Sequence, residues 1–190
     1  MKLILASASP RRQEILKTIT KDFEVIPADV DEHLDIPKGK DYEQRLCMSL
    51  AQKKAQAVFD KYGNCVLGAD TLVFLDNQSL GKPKSKTQAF EILKSLSGKT
   101  HKVITGVALI SKVFFLTDFE QTDVTFPNLS DQEIVDYIEK YQPFDKAGAY
   151  GIQEIKDIWD IKFQGSYTNV MGLPKDLVKQ MLKTAEGYSV

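Results

Sequence analysis

The sequence predicts an α/β fold of mixed α+β character, built on a mixed β-sheet. Two observations carry this. Apolar strands and amphipathic helices alternate through residues 2–62, and β-branched segments in hairpin relation fill the middle of the chain before capped helices close it. No repeat, low-complexity tract or linker interrupts the 190 residues, so 1–190 is expected to act as one domain, long enough to bury a proper core.

Residues 2–6 (KLILA) are apolar without alternation, which predicts a short buried strand. Pro10 suits the first turn of a helix, where its missing N–H costs nothing. Arg11 to Thr20 then carry Ile15, Leu16 and Ile19 on one face. FEVIPA (23–28) predicts a second strand, and the acidic tract DVDEHLDIPKGKD (29–41) a loop. From Tyr42 to Tyr62, Leu46, Leu50, Ala51, Ala55, Val58 and Phe59 recur at helical spacing, and Gly63 stops the run. CVLGA and TLVFL are strands, separate or continuous around Asp70; DNQ is a turn and LGKPKS (80–85) a loop. A helix is expected over 86–97, two or three strands in HKVITGVALIS and KVFFLTDFEQTDVTF, and a helix with a Ser130–Glu133 capping box at SDQEIVDYIEKY. After Pro143 comes the loop-rich DKAGAYGIQE, then a strand in IWDIKFQGSY and a closing helix with Pro174 at its first position.

Composition excludes several function classes. Hydrophobic residues at 43% and charged residues at 27% are ordinary for a globular protein, and a net charge of −1 supplies no field toward nucleic acid or membrane. An anion site must therefore be local. No stretch approaches a membrane span in length, and the apolar run at the N-terminus is too short for a signal peptide. Cys47 and Cys65 sit in no CxxC pair, so two buried thiols in a reducing cytosol are expected rather than zinc or a disulfide.

Five tracts can carry chemistry. In SASPRR, the hydroxyls of Ser7 and Ser9, the free N–H groups of a helix start and the forks of Arg11 and Arg12 make a cradle for a polyphosphate; a plain Ser N-cap with solvated arginines fits as well. In GADT (68–71), Gly68 and Ala69 let a backbone pass closely, and Asp70 is a metal ligand, a general base or an Asx cap. Lys82, in a rigid Gly-Lys-Pro turn near Lys84, is a point charge for phosphate or an exposed turn residue. Glu32 can join Asp70 at a hard cation such as Mg²⁺ or Mn²⁺, while His33 beside it reads as a solvated loop residue. In DKAGAYGIQ (145–153), small residues allow close approach, Lys146 adds charge, and the Gln153 amide can read a base edge. Neither a Walker A sequence nor GxGxxG is present.

In this order the tracts closely resemble the Maf family of nucleoside triphosphate pyrophosphatases. The matching residues are Ser7-x-Ser9-Pro10-Arg11-Arg12, Leu50-Ala51-x-x-Lys54-Ala55, Gly68-Ala69-Asp70-Thr71, Leu80-Gly81-Lys82-Pro83, Leu96-Ser97-Gly98, Thr105-Gly106-Val107, Asp145 through Gln153, and Gly172-Leu173-Pro174. The resemblance implies a twisted mixed sheet in two lobes around a cleft, like the inosine triphosphate pyrophosphatases. It implies hydrolysis of dTTP and UTP to monophosphate and pyrophosphate, a nucleotide-pool house-cleaning role, and an association with septum formation and cell-division arrest. It makes Asp70 the proton acceptor and, with Glu32, the holder of Mg²⁺, Mn²⁺ or Co²⁺. Ser7, Ser9, Arg11, Lys54 and Lys82 would grip phosphates. Arg12, Thr71 and Gln153 mark the dTTP/UTP branch, as against a sister branch acting on 7-methyl-GTP. A cytoplasmic homodimer is the family expectation. One residue departs: Glu154 stands where the family usually has Gly. The rival reading is a non-catalytic nucleotide-binding regulator of septum formation, which has no need of Asp70. A nucleic-acid binder would show a basic patch with aromatic platforms, and none is legible.

Overall fold

The computed structural model describes residues 2–188. The strands are β1 (Leu3–Leu5), β2 (Phe23–Val25), β3 (Cys65–Leu75), β4 (Gln78–Leu80), β5 (Thr100–Ile110), β6 (Phe115–Thr125) and β7 (Lys162–Gln164). The helices are α1 (Pro10–Lys17), α2 (Tyr42–Tyr62), α3 (Lys86–Leu96), α4 (Asp131–Tyr141), α5 (Ile152–Ile155), α6 (Tyr167–Val170) and α7 (Lys175–Glu186). The sheet order is β2-β1-β3-β5-β6-β7, with β4 also on β3. β1 runs parallel to β2 and β3, while the β3–β4 and β6–β7 pairs are antiparallel. The mixed sheet predicted from sequence is therefore present. The chain divides into two compact units: 1–71, 104–120 and 168–190 form one, and 72–103 with 121–167 the other.

In the first unit, β1, β3 and β5 bury both faces, as expected of strands with no polar alternation. One core joins Leu3, Leu5, Cys65, Leu67, Ala69, Val107 and Leu109 to Ile15 and Leu16 of α1 and Val178 and Met181 of α7. The other joins Ile4, Ala6, Val66, Ala108 and Ile110 to Ala51, Ala55 and Val58 of α2. The period-2 alternation of the strands sorts these side chains onto opposite faces. Two glycines let α2 lie directly on the second face. A Cβ at Gly68 of β3 would fall 2.3 Å from the Ala51 carbonyl oxygen, and one at Gly106 of β5 would fall 2.3 Å from the Cys47 carbonyl. Both Cys47 and Cys65 are buried free thiols, and burial pushes Cys65 up to about 11, so it stays protonated.

In the second unit, α3 packs on α4, and an aromatic core gathers His101, Phe126, Tyr137, Tyr150 and Trp159 with ring centroids 5.0–5.6 Å apart along successive contacts. The expected capping box is formed: Ser130 N donates to Glu133 Oε2 (2.8 Å) and Glu133 N to Ser130 Oγ (3.3 Å). Glu154 has a defined place, accepting from Tyr137 Oη at 2.5 Å and pairing with Lys146 at 3.1 Å.

The structure corrects several boundaries. Asp76 and Asn77 both take positive φ (50° and 62°), so DNQ is the turn of a hairpin that pairs Gln78–Leu80 with β3, a strand missed in the sequence. Of the two arrangements the sequence left open around Asp70, β3 takes the continuous one. The strand expected across 158–167 shrinks to β7, because Trp159 turns into the aromatic core and closes a helical bond to Ile155. The tract after Pro143 contains the one-turn helix α5, α1 ends at Lys17 rather than Thr20, and Pro174 caps α7 from outside rather than occupying its first turn.

Gly106→Ala drives a methyl group into the backbone of α2 and is expected to lower stability by about 1–3 kcal/mol, read as a smaller unfolding midpoint in urea. His101 supplies a second expectation. It is 2% exposed, its Nε2 pairs with Tyr150 Oη at 2.7 Å, and burial lowers it to about 4 from 6.5. The unfolded chain therefore binds this proton first. Its contribution, about 3 kcal/mol, is fully present above pH 6.5 and is lost as pH falls to about 4. Urea unfolding at pH 7 and 4.5 should show that slope, and His101→Gln should flatten it.

Candidate active site

β3 outruns its neighbour. The β1 register ends with Leu5 opposite Leu67, and Ala6 N still donates to Leu67 O at 2.8 Å. Beyond that point β1 gives way to the Ser7–Ser9 turn and α1, while β3 continues through Asp70 and Thr71. Ligands in parallel α/β sheets bind at such carboxyl ends. Successive side chains point to opposite faces, so Asp70 and Thr71 serve different halves of the site.

On the α2 face, Asp70 is buried at 5% exposure, and its Oδ1 accepts from Lys54 Nζ at 2.5 Å. The same ammonium lies 2.7 Å from Glu32 Oε1. Lys54 follows Ala51 by one turn of α2, so the close approach over Gly68 sets how deeply its stem reaches. Glu32 arrives on the 29–41 loop, which carries no regular secondary structure among the described residues and is fastened to α2 twice more. Arg45 donates to Pro37 O at 3.0 Å and Lys53 to His33 O at 3.4 Å. His33 is exposed.

On the α1 face, Arg12 is fixed at three points. Its Nε donates to Gly172 O at 2.7 Å, one terminal nitrogen to Ser7 Oγ at 3.2 Å and the other to Thr71 Oγ1 at 3.1 Å. Burial pulls the guanidinium below its ordinary value, and the nearby Asp70 charge opposes this; an arginine stays charged regardless. Gly172 sits at φ 110°, a conformation that favours glycine and aims its carbonyl at Arg12. Ser9 is the N-cap of α1, accepting from Arg12 N at 3.4 Å, and its own N–H donates to Ser7 Oγ at 3.3 Å. Arg11 is half-buried on the first turn.

The first unit thus brings Ser7, Arg12 and Thr71 together on one face of β3, and Glu32, Lys54 and Asp70 on the other. Lys82 and Gln153 belong to the second unit. Lys82 is exposed in a loop held by Gly148 N donating to Gly81 O (3.2 Å), and Gln153 is half-buried at the start of α5. Lys84 is exposed, and Lys146 is buried against Asp145 and Glu154. Three participants were missed as site residues. Thr105 Oγ1 lies 2.9 Å from Thr71 Oγ1 and donates to Asn169 O at 3.2 Å, and Gly172 anchors Arg12. Thr105 belongs to the matching Thr105-Gly106-Val107 motif, but it stands in the middle of an apolar strand, where a threonine is a common β-former, so its residue type alone pointed to no site role.

A family model described as Maf-like protein matches residues 2–185. A dTTP/UTP pyrophosphatase of Thermosipho africanus is 47% identical over 96% of this chain and 92% of its own, and one of Thermococcus onnurineus is 41% identical over 97% and 98%. Among solved structures, the Ham1 protein of Staphylococcus aureus superposes with a TM-score of 0.58 at 14% identity over 97% of this chain and all of its own. A HAM1 protein of Coxiella burnetii gives 0.55 at 15% over 97% and 99%. These structural likenesses establish the fold. With the family model spanning nearly every residue, the chain belongs to the Maf-like protein family.

Proposed function

We propose that the chain is a nucleoside triphosphate pyrophosphatase that hydrolyses dTTP and UTP between the α and β phosphates, releasing pyrophosphate. The observation that carries the reading is the pair of carboxylates, Asp70 and Glu32, converging on Lys54 behind the same strand that presents Thr71 to Arg12. Relatives named for this activity share at least 41% of their residues with nearly the whole chain. Residues 1–190 act as one catalytic domain in this reading, and as a homodimer by family resemblance.

Asp70 accepts the proton of the attacking water while the phosphoanhydride breaks. Ser7, Ser9 and Arg11, at the positive end of α1, hold phosphate oxygens and offset the charge on the leaving pyrophosphate. Lys54 holds the two carboxylates together and keeps a third N–H for a phosphate oxygen. Arg12 and Thr71 face the base. Lys82 and Gln153 are assigned to phosphate and base on motif resemblance alone.

The donor set fits a divalent cation. Glu32 and Asp70 bring hard oxygens to one positive charge, and among the described residues no group of three or more His, Cys, Asp or Glu forms a dedicated metal cage. Such a pair suits hydrated Mg²⁺, Mn²⁺ or Co²⁺, completed by water and phosphate oxygens. Bound there, the ion supplies positive charge to the phosphate chain.

Pyrophosphate release, measured for canonical and modified triphosphates with each metal, tests the reading. Binding without release would leave the regulator, and a preference for purine triphosphates would refute the branch. Asp70→Asn is expected to lower kcat on the order of a hundredfold or more. Chelation with EDTA should abolish turnover, and added Mg²⁺ or Mn²⁺ should restore it.

A further inference from the structure

Thr71, Thr105 and Arg12 form a hydrogen-bond relay whose direction is fixed by chemistry. A hydroxyl has one proton to give and two lone pairs to accept with. Asn169 O is a carbonyl and can only accept, so the 3.2 Å contact spends the Thr105 proton. The 2.9 Å contact between the two hydroxyls must then be Thr71 donating to Thr105. Arg12 can only donate, so Thr71 Oγ1 accepts at 3.1 Å. The one other outlet for the Thr71 proton is Gly172 O at 3.4 Å, again a protein acceptor. In either arrangement Thr71 has no proton left for a ligand. In the shorter-bonded arrangement it keeps one lone pair, and it is half-buried rather than sealed. Beside it, the three bonds of Arg12 use one N–H on each nitrogen, which leaves one on each terminal nitrogen without a partner among the described residues.

We infer that Thr105 is a positioning residue for base selection, and that it fixes Thr71 as a hydrogen-bond acceptor beside the Arg12 donor. The inference rests on the nucleotide-hydrolase reading and extends it to how the base is selected. An acceptor next to a donor complements an imide edge, the carbonyl and N–H that uracil and thymine share. Cytosine presents the reverse at that edge, a bare ring nitrogen beside an amino group, so its lone pair would meet the Thr71 lone pair. A site that leaves polar groups so mismatched rejects the wrong partner strongly. Thr105 is fully buried and touches no ligand; it acts by holding the proton of Thr71 away from the base.

The test compares wild type, Thr105→Val and Thr105→Ser. Valine keeps the shape and removes both lone pairs, so the Thr71 proton loses its 2.9 Å acceptor, keeps only the longer 3.4 Å contact to Gly172 O, and can turn toward a ligand. The kcat/KM ratio for UTP over CTP should fall at least about tenfold in Thr105→Val and return in Thr105→Ser. The same ratio is read without turnover from the dissociation constants of UTP and CTP. A wild type that binds UTP over CTP but releases no pyrophosphate would overturn the enzyme reading and leave this inference standing. An unchanged ratio in folded Thr105→Val overturns the inference, as does an equal loss for both nucleotides in both variants. Urea unfolding of each variant establishes that it is folded.

Discussion

The close approach of α2 to the sheet is the constraint on which the candidate site depends. Gly68 and Gly106 lie on neighbouring strands, and at each a single methyl group would meet helix backbone. Backbone-to-backbone contact of this kind has no flexible side chain to absorb an error. It sets the depth of α2, and with it the position of Lys54, whose ammonium must reach a carboxylate already buried on β3. A helix held farther out on larger residues would leave Asp70 as an uncompensated interior charge. Packing and chemistry are here one requirement: the glycines that admit the helix also admit the cation.

Strand alternation then divides the labour. Asp70 and Thr71 are adjacent in sequence yet point to opposite faces. One enters a field of charge with Lys54 and Glu32, the other a field of directed hydrogen bonds with Arg12 and Thr105. The end of β1 leaves β3 without that neighbour past Leu67, and Asp70 and Thr71 follow there.

Much of this was legible in the sequence, and the reasons are local. The 42–62 helix is written in its apolar spacing and ends at Gly63, which takes the left-handed conformation such a stop requires. The Ser130–Glu133 box and the Ser9 cap depend on residues three apart, so they are readable in place. The strand at 158–167 was overread because β propensity says nothing of Trp159, whose packing partners Phe126 and Tyr137 lie far back in the chain. The sequence singled out charged side chains as candidates, and it gave no site role to Thr105 and Gly172. Their role is to fix the groups that other residues present, and that is a property of distances across the fold. Lys54 shows the same limit: its motif marks it for phosphate, whereas its partners in the fold are carboxylates.

The two carboxylates of the candidate site have unequal permanence. Asp70 is placed by a strand, through covalent geometry and a hydrogen-bonded ladder. Glu32 is placed by a loop whose grip on α2 runs through Arg45, Lys53 and Lys54, and its side chain is 57% exposed. An ion pair with so exposed a carboxylate is modest in strength and is weakened by added salt. The acidic pair is therefore half scaffold and half hinge. Rising ionic strength loosens the hinge and leaves the scaffold in place, which makes Glu32 the member whose position answers to the surrounding solution.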